Sequence, residues 1–76
     1  MNDYAATVDS KGQSCPMPVL MAAKAAKGLN TGDLLLIEAT DRGAKSDIPA
    51  WAHQTGNELV ESSEDGDVLR FIIRKK

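Results

Sequence analysis

The chain has one cysteine, one histidine, no long apolar run and no surplus of positive charge, and each shortage closes a class of function. A single cysteine forms no intramolecular disulfide, and small secreted scaffolds carry even sets, so the thiol is expected to be free in a reducing compartment. A dithiol oxidoreductase needs a resolving cysteine, zinc needs about four ligands, and iron–sulfur clusters usually need about four thiolates. Cys15 and His53 supply none of these sets, so no metal is expected. Nine Lys and Arg against eleven Asp and Glu leave a net charge of −2, without the basic excess that non-specific nucleic-acid binding draws on. Direct nucleic-acid binding is therefore not expected. No uninterrupted apolar run, Leu34-Leu35-Leu36-Ile37 included, approaches the ~18 residues of a membrane span, and Asp3 and Lys11 interrupt any signal-like start. The expectation is a cytoplasmic protein with no membrane segment.

What is present is a length of 76 residues with 42% hydrophobic content, enough for one compact domain over residues 1–76 with a small core. No repeat, linker or low-complexity tract divides it. Ala5–Asp9 reads as a first strand, with Ala6 and Val8 on one face and a turn-rich Ser-Lys-Gly after it. From Pro16 to Lys27, Val19, Leu20, Ala23 and Ala26 recur at helical spacing, and Gly28 stands just past the end as a cap. Leu34–Ala39 is an apolar run without alternation, the mark of a strand covered on both sides or central in its sheet. Ile48, Trp51, Ala52 and Thr55 return to helical spacing until Gly56, with Trp51 assigned to the core. Pro49 belongs in a first turn or at a kink, which leaves the start of this helix open. Glu58–Ser63 and Val68–Arg74 flank Glu64-Asp65-Gly66-Asp67, a hairpin signal, with Leu69, Phe71 and Ile73 on one face. Arg74-Lys75-Lys76 reads as a solvated tail.

The order β-α-β-α-β-β predicts an α+β chain folded as a two-layer α/β sandwich. A strand-helix-strand crossover gives parallel pairing, the closing hairpin adds antiparallel pairing, and both helices cover one face of the sheet.

Within Ser14-Cys15-Pro16-Met17-Pro18, two residues that donate no backbone hydrogen bond open a helix. The first four N–H groups of a helix have no internal acceptor, so proline is tolerated there. With Cys15 as N-cap, Pro16 and Pro18 become the first and third helical residues and no helical bond is lost. With Ser14 as N-cap, Pro18 would remove the first true helical bond. The prolines thus select Cys15, whose sulfur then faces the Met17 N–H. Partial positive charge at the helix start favours thiolate, raising its fraction at neutral pH from a few per cent to roughly a quarter. The plainer reading, a buried and inert packing cysteine, fits a loop-to-helix junction less well. The remaining chemistry is that of a monothiol that accepts a group and passes it on.

Other residues carry smaller expectations. Met17, Met21, Lys24 and Gly28 form a stripe at spacings of four, three and four that is expected to face solvent. Beside the thiol, Met17 and Met21 would offer an adaptable apolar patch to partners, with Lys24 and Lys27 adding positive charge; one methionine folding back into the core is the alternative. Asp9 and Asp47 are assigned as N–H acceptors at loop or helix starts. His53 lies off the apolar stripe and reads as a surface residue rather than a catalytic base.

The chain resembles the TusA-like (SirA-like) sulfur-carrier family over nearly its whole length. The resemblance rests on Val8-Asp9, Gly12, Cys15-Pro16-Met17-Pro18, Gly32-Asp33, Thr40-Asp41 and Asp47-Ile48-Pro49, in that order. Arg42-Gly43 departs from the Pro-Gly often found there. The resemblance implies a mixed four-stranded sheet and a Cys15 that carries a persulfide sulfur, with Pro16, Met17 and Pro18 forming the supporting helix start. It implies a donor that is a cysteine desulfurase or another sulfurtransferase, and an acceptor sulfurtransferase protein. No cofactor beyond the transient persulfide is implied, and a monomer is expected. Such families serve tRNA thiolation, molybdenum-cofactor formation and sulfur oxidation. If the loop after Leu34–Ala39 folds over the first helix start, as in that fold, Arg42 and Lys45 are placed near the thiol. Two other classes stay open: an interaction or regulatory module in which the Cys-Pro-Met-Pro turn is purely structural, and a monothiol redox protein that forms mixed disulfides.

Overall fold

The computed structural model of the chain describes residues 4–76, so Asp3, one of the two charges that interrupt a signal-like start, lies outside the described residues. Six elements follow one another: β1 (Ala6–Ser10), α1 (Met17–Lys27), β2 (Leu34–Ala39), α2 (Ala44–Thr55), β3 (Glu58–Asp65) and β4 (Val68–Arg74). The strands form one four-stranded sheet in the order β1-β2-β4-β3. β1 and β2 pair in parallel across the α1 crossover, while β4 pairs antiparallel with both β2 and β3. α1 lies over β1 and β2, and α2 over β3 and β4. A shortest axis of 16 Å beside 29 and 28 Å leaves room for one sheet and one layer of helices. The fold is the expected α+β two-layer sandwich.

The core follows from strand alternation against small helix faces. Val8, Leu35, Ile37, Ala39, Leu69, Phe71 and Ile73 meet Ala22, Ala26, Ala44, Ile48, Trp51 and Ala52. Trp51 is a core residue, as expected. The apolar run of β2 alternates after all: Leu35, Ile37 and Ala39 are buried, and Leu34, Leu36 and Glu38 are half-buried on the other face. Central position explains the run, since Leu36 pairs with Thr7 on one side and Ile72 on the other. Ser10, buried in the sheet, is satisfied by donating its hydroxyl to the Glu38 carbonyl at 2.6 Å.

α1 is rotated from the expected register. Its buried residues are Pro18, Ala22 and Ala26, while Leu20 is 54% exposed and Met21 packs half-buried against the core. Alanines at 22, 23, 25 and 26 give the helix two apolar faces of similar width, so spacing alone does not choose between them. The sheet takes the face with the smallest side chains, which lets the helix backbone approach closely.

α2 begins at Ala44, so Pro49 stands inside it rather than in its first turn. The helix opens with tight i→i+3 bonds from Ala44 and Lys45 to the carbonyls of Asp41 and Arg42. The donor missing at Pro49 is one that would reach the carbonyl of Lys45, a residue exposed to solvent. Buried Ala44 and Ile48 anchor the added turn.

The closing hairpin is longer than expected. β3 runs to Asp65 with a register shift between Leu59 and Glu61 that leaves Val60 unpaired as a bulge. The loop is Gly66-Asp67, with Gly66 at φ 61 and Asp67 not in the left-handed region, the II′ pattern. β1 is shifted one residue, to Ala6–Ser10. The basic terminus is no free tail. Arg74 closes β4 and pairs with Glu58 at 2.7 Å, and Lys75 exchanges backbone hydrogen bonds with Gly32 and Asp33 at 2.8 Å.

The close approach of α1 is testable: Ala22→Leu is expected to destabilise the fold by about 1–3 kcal/mol, the usual scale of overpacking, read as a lowered denaturant midpoint.

Candidate functional site

The parallel pair β1 and β2 ends level, Ser10 opposite Ala39, and the loops that follow are joined by side-chain hydrogen bonds. Gly12 N–H donates to Thr40 Oγ1 at 2.9 Å, and Cys15 N–H donates to Asp41 Oδ2 at 3.0 Å. Gly12, at φ 83, supplies the left-handed turn that brings the chain round. The candidate site thus lies at the carboxyl ends of parallel strands, where open α/β sheets place their chemistry.

The helix start differs from the expected register by one residue. Pro16, not Cys15, is the N-cap, α1 begins at Met17, and no side chain caps it. The Cys15–Pro16 peptide bond is cis. Met17 N–H donates to the Ser14 carbonyl at 2.9 Å, and Leu20 N–H to the Pro16 carbonyl at 3.1 Å. Both prolines still occupy positions whose donors have no helical acceptor, so that part of the reading stands. The sulfur, however, does not sit over the helix amides.

Instead the exposed Cys15 thiol points at α2 and donates to Asp47 Oδ2 at 2.8 Å. The hydrogen bond to Asp47 is the chief cause that holds this thiol above the ordinary cysteine range; partial desolvation and the charges of Asp47 and Asp41 push the same way. This overturns the expected activation by the helix start. A carboxylate in contact outweighs the partial charge of amides one residue away.

Asp47 therefore belongs to the site rather than to an N–H at a helix start, and Asp41 joins it. Both stand in the motifs Thr40-Asp41 and Asp47-Ile48-Pro49, but no periodicity placed them beside Cys15: Asp41 comes from the β2–α2 loop and Asp47 from the extra first turn of α2. Gly43 lies among all three: a Cβ there would stand 3.0 Å from Asp41 Oδ2, 3.7 Å from Cys15 Cβ and 3.8 Å from Asp47 Oδ2. Arg42 and Lys45, placed near the thiol by fold analogy, are drawn instead to Glu64 at 2.8 and 3.5 Å. Among the described residues, neither Asp41 nor Asp47 has a cation within ion-pair distance. His53 is exposed in the last turn of α2, as expected. Asp9 accepts the Lys11 N–H at 3.1 Å, the turn role expected of it.

On α1, Met17 at 40% and Leu20 at 54% exposure share a face with exposed Lys24, next to the thiol. Leu20 takes the surface place expected of Met21. Among the described residues no group of His, Cys, Asp and Glu is arranged to hold a metal ion, and no helix is long and apolar enough to cross a membrane.

Comparison with known proteins places this geometry. The family model described as Sulfurtransferase TusA matches residues 6–75. The sulfur carrier protein TusA of Allochromatium vinosum is 43% identical over 75 residues, covering 99% of each chain. That of Pseudomonas putida is 37% identical, covering 100% of this chain and 98% of its own. The crystal structure of a SirA-like protein from Desulfitobacterium hafniense superimposes with a TM-score of 0.79 at 27% identity, covering 91% of this chain and 95% of that one.

The carboxylate contact is open to titration. Thiolate absorbance against pH is expected to give Cys15 a higher midpoint in the folded protein than after denaturation. Because the folded value is raised, this contact stabilises the fold below the unfolded thiol's ~8.5 and is lost as pH rises through the folded value.

Proposed function

The chain belongs to the TusA sulfurtransferase family, and from that membership we propose that it is a sulfur carrier whose Cys15 takes a sulfane sulfur from a donor persulfide and passes it to an acceptor thiol. The observation that carries the reading is a lone, exposed thiol at the loop-to-helix junction of a chain with no second cysteine. Cys15 attacks the outer sulfur of the donor persulfide, the donor leaves as a thiol, and Cys15 becomes Cys15–S–SH. An acceptor thiolate then attacks that outer sulfur and Cys15 departs unchanged. The sulfane sulfur keeps its oxidation level throughout, so the cycle needs neither metal nor organic cofactor.

The donor is a cysteine desulfurase or another sulfurtransferase, the acceptor a sulfurtransferase protein, and the carrier works as a cytoplasmic monomer. Pro16, Met17 and Pro18 support the persulfide by fixing the chain on which it stands. Met17, Leu20 and Lys24 form the docking patch, with half-buried Met21 backing it. Methionine adapts to differing partner surfaces, which suits a carrier that meets at least a donor and an acceptor.

After incubation with a cysteine desulfurase and free cysteine, intact mass is expected to rise by one sulfur atom, removable by reductant, with no gain in Cys15→Ser. A gain the size of glutathione, or retention of function in Cys15→Ser, would sink the carrier reading. Leu20→Glu is expected to slow loading from the desulfurase roughly tenfold, the scale of one lost apolar anchor, while melting and loading from a small persulfide stay unchanged.

A further inference from the structure

Sulfur transfer starts from a thiol that must lose its proton, yet Cys15 faces carboxylates and no cation. Two acidic groups reach it: Asp47 from α2, at 2.8 Å from the sulfur, and Asp41 from the β2–α2 loop, bound to the Cys15 N–H at 3.0 Å. The nearby cations are occupied elsewhere, Arg42 and Lys45 on Glu64 and Lys11 on Asp9 and Glu38. Asp41, already taken by the backbone, fixes the position of Cys15. Asp47 Oδ2 is the group in contact with the reacting atom.

We propose that Asp47 is a catalytic residue of sulfur transfer, taking the Cys15 proton as the sulfur attacks and returning one to Cys15 when the cargo leaves. This role rests on the carrier reading and deepens it. In loading, the Cys15 S–H bond breaks and its proton moves to Asp47 Oδ2. The sulfur electron pair forms a bond to the outer sulfur of the donor persulfide. The donor S–S bond breaks, its pair leaves on the donor thiolate, and that thiolate takes the proton from Asp47. In unloading, the acceptor S–H gives its proton to Asp47, the acceptor sulfur bonds to the outer sulfur, and the departing Cys15 thiolate takes the proton back. Atoms and charge balance, and nothing is oxidised or reduced overall.

At rest the proton stays on sulfur, because a carboxylate in water is much the weaker base. A docked partner excludes water, and desolvation disfavours the charged Asp47 carboxylate; uptake of the thiol proton removes that charge. Deprotonation is thereby tied to docking, and the unengaged carrier keeps a quiet thiol. Gly43 is part of the arrangement, since a Cβ there would press on Asp41 Oδ2 at 3.0 Å and stand in contact with Cys15 and Asp47.

The test pairs two measurements of opposite sign on Asp47→Asn. An amide removes the charge that disfavours thiolate, so alkylation of Cys15 by iodoacetamide at neutral pH is expected to be several-fold faster than in the wild type. The amide takes no proton, so single-turnover loading from a saturating persulfide-charged cysteine desulfurase is expected to be slower by roughly tenfold to hundredfold, the lower range of general-base effects. Asp47→Glu, which restores a carboxylate, is expected to recover part of the loading rate; Asp47→Ser is read in the same way should the amide disturb the fold, as checked by melting. Loading by Asp47→Asn at or above the wild-type rate, or alkylation no faster than wild type, overturns the role of Asp47 alone. A wild type that takes up no sulfur overturns the carrier reading, a separate result.

Discussion

The contact between the Cys15 thiol and Asp47 exists because two parallel strands end level and the loops beyond them are stitched together. β1 and β2 pair from Ala6 opposite Leu35 to Ser10 opposite Ala39, so their following residues emerge side by side. Gly12 on Thr40 and Cys15 on Asp41 then tie one loop to the other. α2 starts immediately afterwards, at Ala44, and its first turn delivers Asp47 to the sulfur. Remove the parallel pairing and the thiol and its carboxylate belong to unrelated parts of the chain.

The charges around this point are distributed unevenly, and the unevenness matters for the chemistry. Glu38 gathers Arg70 and Lys11, which hold its carboxyl below the usual glutamate range. Glu64 gathers Arg42 and Lys45 in the same way. With those cations committed to the sheet, the two carboxylates beside Cys15 are left uncompensated. A thiolate there meets repulsion rather than support, which holds the thiol above the ordinary cysteine range. A carrier benefits from such restraint, because an unengaged thiolate is open to oxidation and adventitious alkylation.

The rotation of α1 serves the same end of the molecule. With Ala22 and Ala26 turned inward, the larger side chains of Met17 and Leu20 are left on the outer face together with Lys24. The buried interface loses little, because the helix sits close to the sheet. The exposed face gains an apolar surface within one or two turns of Cys15, on a rigid element rather than a loop.

The amino-acid sequence was sufficient for the element order, the sandwich, the core strands and the exposed place of the single cysteine. These rest on local signals: period-two and helical spacing, a hairpin turn, and prolines tolerated only where helix donors lack acceptors. It was also sufficient for the absence of a second thiol, which narrows the sulfur chemistry to carriage. Tertiary structure alone decided which face of α1 is buried, since its alanines make two faces nearly equivalent until the sheet selects one. It decided the ends as well, turning an apparent basic tail into the last rung of the ladder. Above all it decided the state of the sulfur. Local geometry points the thiol at a helix start and predicts ionisation; the fold brings Asp47, thirty-two residues away in the chain, into contact and reverses the sign. A charge contributed by a distant segment leaves no periodic trace, so only the assembled structure reveals it.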